Sequence, residues 1–270
     1  MSLPPDAVDA PAAVEIAAAE KTYPSGIRAL NPIDLRVRPG EFVTLLGPSG
    51  CGKSTLLKMI AGLLAPSAGH LQLWGGGVDE AERSGHRLGF VFQEATLMPW
   101  ARVRANVRLP LDLAGVERTE AEARVDAALQ LVGLTSFAGQ LPRELSGGMQ
   151  MRVSIARGLV TRPQLLLMDE PFGALDEITR NRLDSDLLAL WQRQQLTVVF
   201  VTHSIYEAVY LSNRVVVMAA RPGRIVDEVA IEEPYPRGAD FRVSTAFSQY
   251  AKRLQDSLLR ASGQADEALA

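Results

Sequence analysis

The stretch GPSGCGKST, Gly47 to Thr55, constrains this chain more than any other. It fits the pattern G-x-x-x-x-G-K-[ST] and lies between the apolar run EFVTLLG and a helical pattern. A strand, a glycine-rich loop and a helix in that order make a phosphate cradle. The glycines let the loop wrap so that backbone N–H groups converge, and the helix N-terminus adds partial positive charge. Lys53 then neutralises β/γ-phosphate oxygens, and the Ser54 hydroxyl is placed to hold Mg²⁺. Gly47, Pro48, Ser49, Gly50, Cys51, Gly52, Lys53, Ser54 and Thr55 are the expected nucleotide contacts, Cys51 being a small filler at a variable position.

Two later runs, QLLLMDE and LTVVFVTH, are nearly all apolar and end in ionisable side chains, which is how strands buried on both faces read. LLLMDE sets two adjacent carboxylates at a strand end, where neighbouring side chains diverge. Asp169 is the one placed to reach a Mg²⁺ shell, and Glu170 the one to orient or deprotonate an attacking water. An acidic strand end capping a helix is the bland alternative, which the P-loop upstream outweighs. His203, ending VVFVTH, and Gln93, ending RLGFVFQ, each read alone as structural residues or as site residues; they gain weight only as members of a set.

The first half of the chain reads as strands broken by turns: VEIAAAEKTY, IDLRV after which comes the turn RPG, then EFVTLLG, LQLW and RLGFVFQ. Residues 94–162 switch to helix formers, as in TEAEARVDAALQLVGL, with Ala121, Val125, Ala128, Leu129 and Val132 at three-to-four spacing and Gly133 as a stop. We read this span as a helical subdomain inserted into an α/β core. Glu177 to Gln195 is helical, IYEAVYLSNR is a further helix, and VVVMAARPGRIVDEVAI is a hairpin about Pro222-Gly223. Phe247, Tyr250, Leu254 and Leu258 mark one face of a last helix at about 243–261. The organisation expected is a loose tail, 1–12, and one domain, 13–270.

LSGGMQMR, far from the P-loop, is a second anion-binding turn: Ser146, Gly147 and Gly148 offer a hydroxyl and unobstructed N–H groups at a helix N-terminus. It has no lysine of its own, so whose phosphate it binds is open at this point.

With 47% apolar and 22% charged residues and a formal charge of −3, the chain is an ordinary globular one, and no broad nucleic-acid surface is indicated. A single cysteine allows no internal disulfide and favours the cytoplasm. The N-terminus, with Asp6, Asp9 and Glu15, lacks the basic start and apolar run of a signal peptide. No apolar run approaches the ~20 residues that cross a bilayer, so a membrane role must come through a partner.

Taken together, the chain resembles the ATP-binding subunit of an ATP-binding-cassette (ABC) transporter over nearly its whole length. GPSGCGKST matches the Walker A loop, Gln93 the Q-loop, LSGGMQ the signature, LLLMDE Walker B, GALD (173–176) the D-loop and His203 the switch histidine. Tyr23 stands where the family has an aromatic that stacks on adenine; alone it would read as packing. The resemblance implies a P-loop NTPase (RecA-like) α/β core with an N-terminal antiparallel β region. It implies ATP and Mg²⁺, with Lys53, Gln93, Glu170 and His203 in catalysis and Ser54, Gln93 and Asp169 around the metal. It also implies a head-to-tail dimer in which Ser146, Gly147 and Gly148 meet the γ-phosphate of the partner's ATP, so that hydrolysis is coupled to closure.

FQEATLMPW, the SGGMQ form of the signature and AARPGRIV look like the importer branch that serves nitrate, sulfonates, taurine and related compounds. That implies a peripheral subunit on the cytoplasmic face of the inner membrane, docked on a separate permease fed by an external solute-binding protein. The segment 96–100 would meet the permease's coupling helix, although Trp100 reads equally as a packed aromatic of the subdomain. Met151 replaces a common glutamine, and Arg102 and Arg104 make ARVRANV more basic than is usual. Other transport systems, export included, remain as alternatives. A soluble ABC ATPase of translation or repair would carry two cassettes or a long coiled coil, and a plain P-loop kinase or GTPase would need no signature turn.

Overall fold

The computed structural model describes residues 11–173 and 175–267. The tail expected at its start falls mainly outside them, and Ala12, its expected end, is only 3% exposed, so ordered packing begins before residue 13.

The core is a six-stranded sheet in the order β5 (Leu88–Val91), β6 (Leu165–Asp169), β7 (Thr197–Thr202), β3 (Phe42–Leu46), β8 (Arg214–Ala219) and β9 (Arg224–Ala230). Its first five strands are parallel and β9 closes the edge antiparallel to β8. These strands read as unbroken apolar runs because both faces are covered. Phe42 and Leu46, Val198 and Phe200, and Val215 and Val217 point into one core, while Val43 and Leu45, Val199 and Val201, and Val216 and Met218 point into the other. Each such side chain contributes roughly 1.5–3 kcal/mol by its burial, which makes the sheet a stiff platform for the loops at its C-terminal edge.

The second core is closed by α1 (Lys53–Ile60) and by a small antiparallel sheet in the order β2 (Arg28–Val37), β1 (Val14–Thr22), β4 (Ala68–Gln72). The first core takes the helices: α3 (Val103–Leu113), α4 (Arg118–Leu131) and α5 (Gly147–Leu159) in the inserted region, then α6 (Glu177–Gln194), α7 (Ile205–Leu211) and α8 (Thr245–Glu267). Gly133, at φ +67°, stands two residues past α4 as the stop its position predicts.

Four boundaries differ from the sequence reading. Leu73 and Trp74 lie beyond β4, in a turn where Trp74 takes φ +49° and stacks on His86 at 4.1 Å. A six-residue helix, α2 (Val78–Arg83), follows; the Gly77 N–H donates to Glu80 Oε2 at 3.0 Å, a cap its brevity hid. Gln195 ends α6 in the left-handed region at φ +51°, and α8 runs to Glu267, past the end expected at about 261.

Candidate nucleotide site

The loop from β3 to α1 bends at Gly50 (φ +79°) and Gly52 (φ +90°), conformations that a side chain disfavours. An added Cβ at residue 52 would also lie 2.4 Å from Leu30 Cδ2. The loop is held from outside by the β8–β9 turn: the Gly223 N–H donates to Ala29 O and the Asn31 N–H donates to Gly223 O. Cys51 turns inward and is fully buried, which pushes its thiol pKa up; it is a packing residue of the cradle, as its place in the loop suggested.

One cavity of about 530 Å³ opens over this loop. Ser49, Gly50, Gly52, Lys53, Ser54 and Thr55 form its floor, Tyr23 and Ile27 to Ala29 one wall, Arg221 and Pro222 another, and Gln93 and Glu170 the far end. Nine of the expected site residues therefore converge on one space. Tyr23 is fixed at its rim, its hydroxyl 3.2 Å from Thr55 Oγ1. Lys53 is 4% exposed; its ammonium donates to Gly47 O at 2.8 Å and Pro48 O at 3.1 Å and lies 3.5 Å from Glu170 Oε1. All three neighbours are hydrogen-bond acceptors, and they aim the ammonium along the loop.

Asp169 and Glu170 diverge as adjacent strand-end residues must. The Ser54 hydroxyl donates to Asp169 Oδ1 at 2.8 Å, behind the loop, whereas Glu170 enters the cavity. Burial holds the Asp169 carboxyl above its ordinary range, offset in part by the Ser54 hydrogen bond. Glu170 takes φ +44°, a strained value outside glycine, which turns its carboxylate toward His203: Nδ1 lies 3.0 Å from Oε2. His203 itself is half exposed and lies just beyond the cavity wall.

The turn at residues 146–148 does not reach this cavity. Ser146 caps α5, its Oγ accepting from the Met149 N–H at 3.3 Å, and Gly147 is open, with no atom within 4 Å of an added Cβ. Gln150 braces the turn by donating to Pro142 O and Leu145 O. Met151 is 6% exposed in the helical core, where a thioether suits better than an amide.

Between Gln93 and α3, Asn106 and Arg157 organise the chain. The Asn106 amide donates to Ala101 O at 2.9 Å and accepts from the Met98 N–H at 2.8 Å, and Arg157 donates to the Ala95 and Thr96 carbonyls at 2.9 Å. Trp100 is left 78% exposed, which removes the reading of it as a packed aromatic. Arg104 is ion-paired with Glu122 and Asp126, and Arg102 donates to Gly139 O, so these two bases serve the subdomain internally. Sequence reasoning missed the walls formed by Ile27 to Ala29 and by Arg221 and Pro222. Their one signal was the turn at Pro222-Gly223.

Residues 30–173 match the family model described as ABC transporter. The chain belongs to that family. The cassette is 46% identical over 232 residues to the taurine import ATP-binding protein TauB of Rhizobium johnstonii, covering 85% of this chain and 87% of that protein. It is 42% identical over 228 residues to the aliphatic sulfonates import ATP-binding protein SsuB of Bacillus cereus, covering 84% and 87%. In three dimensions it is similar to the ATP-binding cassette MJ0796, solved as a dimer in a post-hydrolysis state bound to ADP and Pi. That match has a TM-score of 0.73 and 34% identity over 82% of this chain and 100% of that one. It is an ATP-binding subunit of a transport system, and its reaction is ATP hydrolysis. Among the described residues no helix is long and apolar enough to cross a membrane.

Proposed function

We propose that this chain drives import of a small sulfonate-like or related solute, taurine and nitrate included, through a separate permease on whose cytoplasmic face it sits. An external binding protein delivers the solute. The relatives' names support the solute class, and the exposed Trp100 on a braced segment supports a docking face.

In this reading ATP lies in the cavity with its adenine on Tyr23 and its phosphates on the N–H groups of residues 47–55. Lys53 exchanges the Gly47 and Pro48 carbonyls for β/γ oxygens, which carry full negative charge and bind an ammonium more strongly. Ser54, Gln93 and Asp169 would hold Mg²⁺. The fit rests on the 2.8 Å Ser54–Asp169 hydrogen bond, which already sets a hydroxyl and a carboxylate side by side beneath the cradle. The bound ion would supply charge neutralisation on the phosphates. Glu170 orients water for in-line attack, and His203, with the proton on Nδ1, holds Glu170 in place through the 3.0 Å contact. Water adds to the γ-phosphorus, the bond to the β-phosphate oxygen breaks, and ADP and phosphate leave.

The observation that carries this reading is the meeting of Lys53, Gln93 and Glu170 in one cavity. Glu170→Gln keeps size and hydrogen bonding but removes the charge. We expect turnover to fall at least ~10³-fold with ATP affinity retained and an ATP-bound dimer trapped on a sizing column. Wild-type hydrolysis in that variant would overturn the role given to Glu170.

A further inference from the structure

Arg180, on the first turn of α6, is not part of the cavity, yet its guanidinium joins two segments that the reaction must keep in register. Its Nη2 donates to Leu175 O at 2.8 Å and its Nε to Phe172 O at 3.3 Å, so it holds the turn that leaves Glu170. The same Nε lies 3.3 Å from Glu207 Oε1. Glu207 is 4% exposed and faces back toward the end of β7, where it accepts from the Thr202 hydroxyl. Thr202 Oγ1 in turn accepts from the Ser204 N–H at 3.0 Å, and Ser204 Oγ from the Glu207 N–H at 3.3 Å. His203 is the residue enclosed by that small ring of bonds.

We infer that Arg180 is a positioning residue for hydrolysis: its guanidinium, through Glu207 and Thr202 on one side and the Phe172 and Leu175 carbonyls on the other, sets the Glu170–His203 pair. The inference rests on the role proposed for Glu170 above. An arginine suits the task because its planar fork serves divergent acceptors at once, which a lysine ammonium on a flexible stem does less well. Glu207 suits its part because a carboxylate buried away from water needs a cation and hydrogen bonds to stay ionised. The contact also reaches the second anion-binding turn. A Cβ at residue 148 would lie 3.1 Å from Leu175 Cδ2, so the residue whose carbonyl Arg180 grips is the one packed beside Gly148 of the signature turn. Movement of that turn is thereby passed to the histidine.

The test compares Arg180→Met, which keeps the stem, with Arg180→Lys and Glu207→Gln, each assayed below its own melting temperature on full-length chain. We expect Arg180→Met to lower kcat roughly 10–100-fold, the range a misplacement near 1 Å produces. KM for ATP should stay within about threefold, Arg180→Lys should recover part of the loss, and the double variant with Glu207→Gln should be no worse than the poorer single one. Wild-type kcat in folded Arg180→Met or Glu207→Gln overturns the inference, and so does a raised KM with kcat unchanged. If Arg180→Met does not fold, Glu207→Gln decides with the same two outcomes. Glu170→Gln run alongside separates the failures: an inactive Glu170→Gln with an unaffected Arg180→Met removes this inference only, whereas an active Glu170→Gln removes the site reading beneath it.

Discussion

A single methyl group tests the phosphate cradle. Gly52→Ala places a side chain at φ +90° and 2.4 Å from Leu30 Cδ2. Leu30 is fully buried and would have to repack, Ala29 O would lie 3.2 Å from the new methyl, and backbone strain adds about 1–3 kcal/mol. We expect a lower Tm and at least ~10-fold weaker ATP binding by titration calorimetry, and unchanged affinity would show that the loop tolerates a different path. A second residue shows what a sequence hides. Asp184 reads as one more polar residue of a helix, yet it is fully buried, hydrogen-bonded to Arg242 58 positions away and close to the charge of Glu207. Burial, then Glu207, raise its pKa to about 7, and Arg242 and Arg180 hold it from going higher. A carboxyl that binds its proton more tightly when folded favours the fold below the unfolded pKa, near 4, and that contribution is lost as pH rises through 7. Asp184→Asn carries no such loss. Its stability relative to the parent should therefore improve between pH 4 and 7.5 by up to about 4 kcal/mol, at 1.36 kcal/mol per unit. A difference that stays flat over that range would contradict the raised pKa.

Elements were legible where one physical constraint dominated. Doubly covered strands leave continuous apolar runs, so β3, β6, β7 and β8 stood out, and the first three end at a residue of the site or beside one. Short elements fixed by local caps or turns did not: α2 hangs on one glycine N–H, and the Trp74 turn spends an aromatic that a strand reading claims. The site was legible in its motif residues, and its walls were not, because Ile27 and Arg221 reach the cavity only through the pairing of β2 with the β8–β9 turn. The segment between β5 and α3 shows how an element-scale contact decides a residue's meaning. Asn106 and Arg157 fix its carbonyls, and Trp100 is left exposed. An exposed tryptophan on a rigid loop is the kind of anchor interfaces use. Trp100→Ala should leave ATPase activity of the isolated subunit within about twofold while co-purification with the permease is lost, since truncating such an anchor costs ~2 kcal/mol or more. Retained assembly would place the docking face elsewhere.

At the scale of the whole molecule, one chain holds two candidate anion-binding devices that do not meet. Lys53 and Glu170 share a cavity that excludes the open, exposed turn at Ser146 and Gly147. Both devices find use if a second copy docks head to tail, each signature turn closing the other chain's cavity; the solved cassette similar to this one is a dimer. Mixing two defective chains tests it. Lys53→Ala removes the cradle's cation and Ser146→Arg blocks the turn, so each homodimer carries one defect in both sites and should be nearly inactive. In the mixed dimer one site takes both defects and the other takes neither. With random pairing at equal concentrations half the dimers are mixed and half of their sites are whole, so activity should return to about a quarter of the parent's if sites work independently. If the turn served its own chain's ATP, every site would stay singly broken whatever its partner, and mixing would restore nothing.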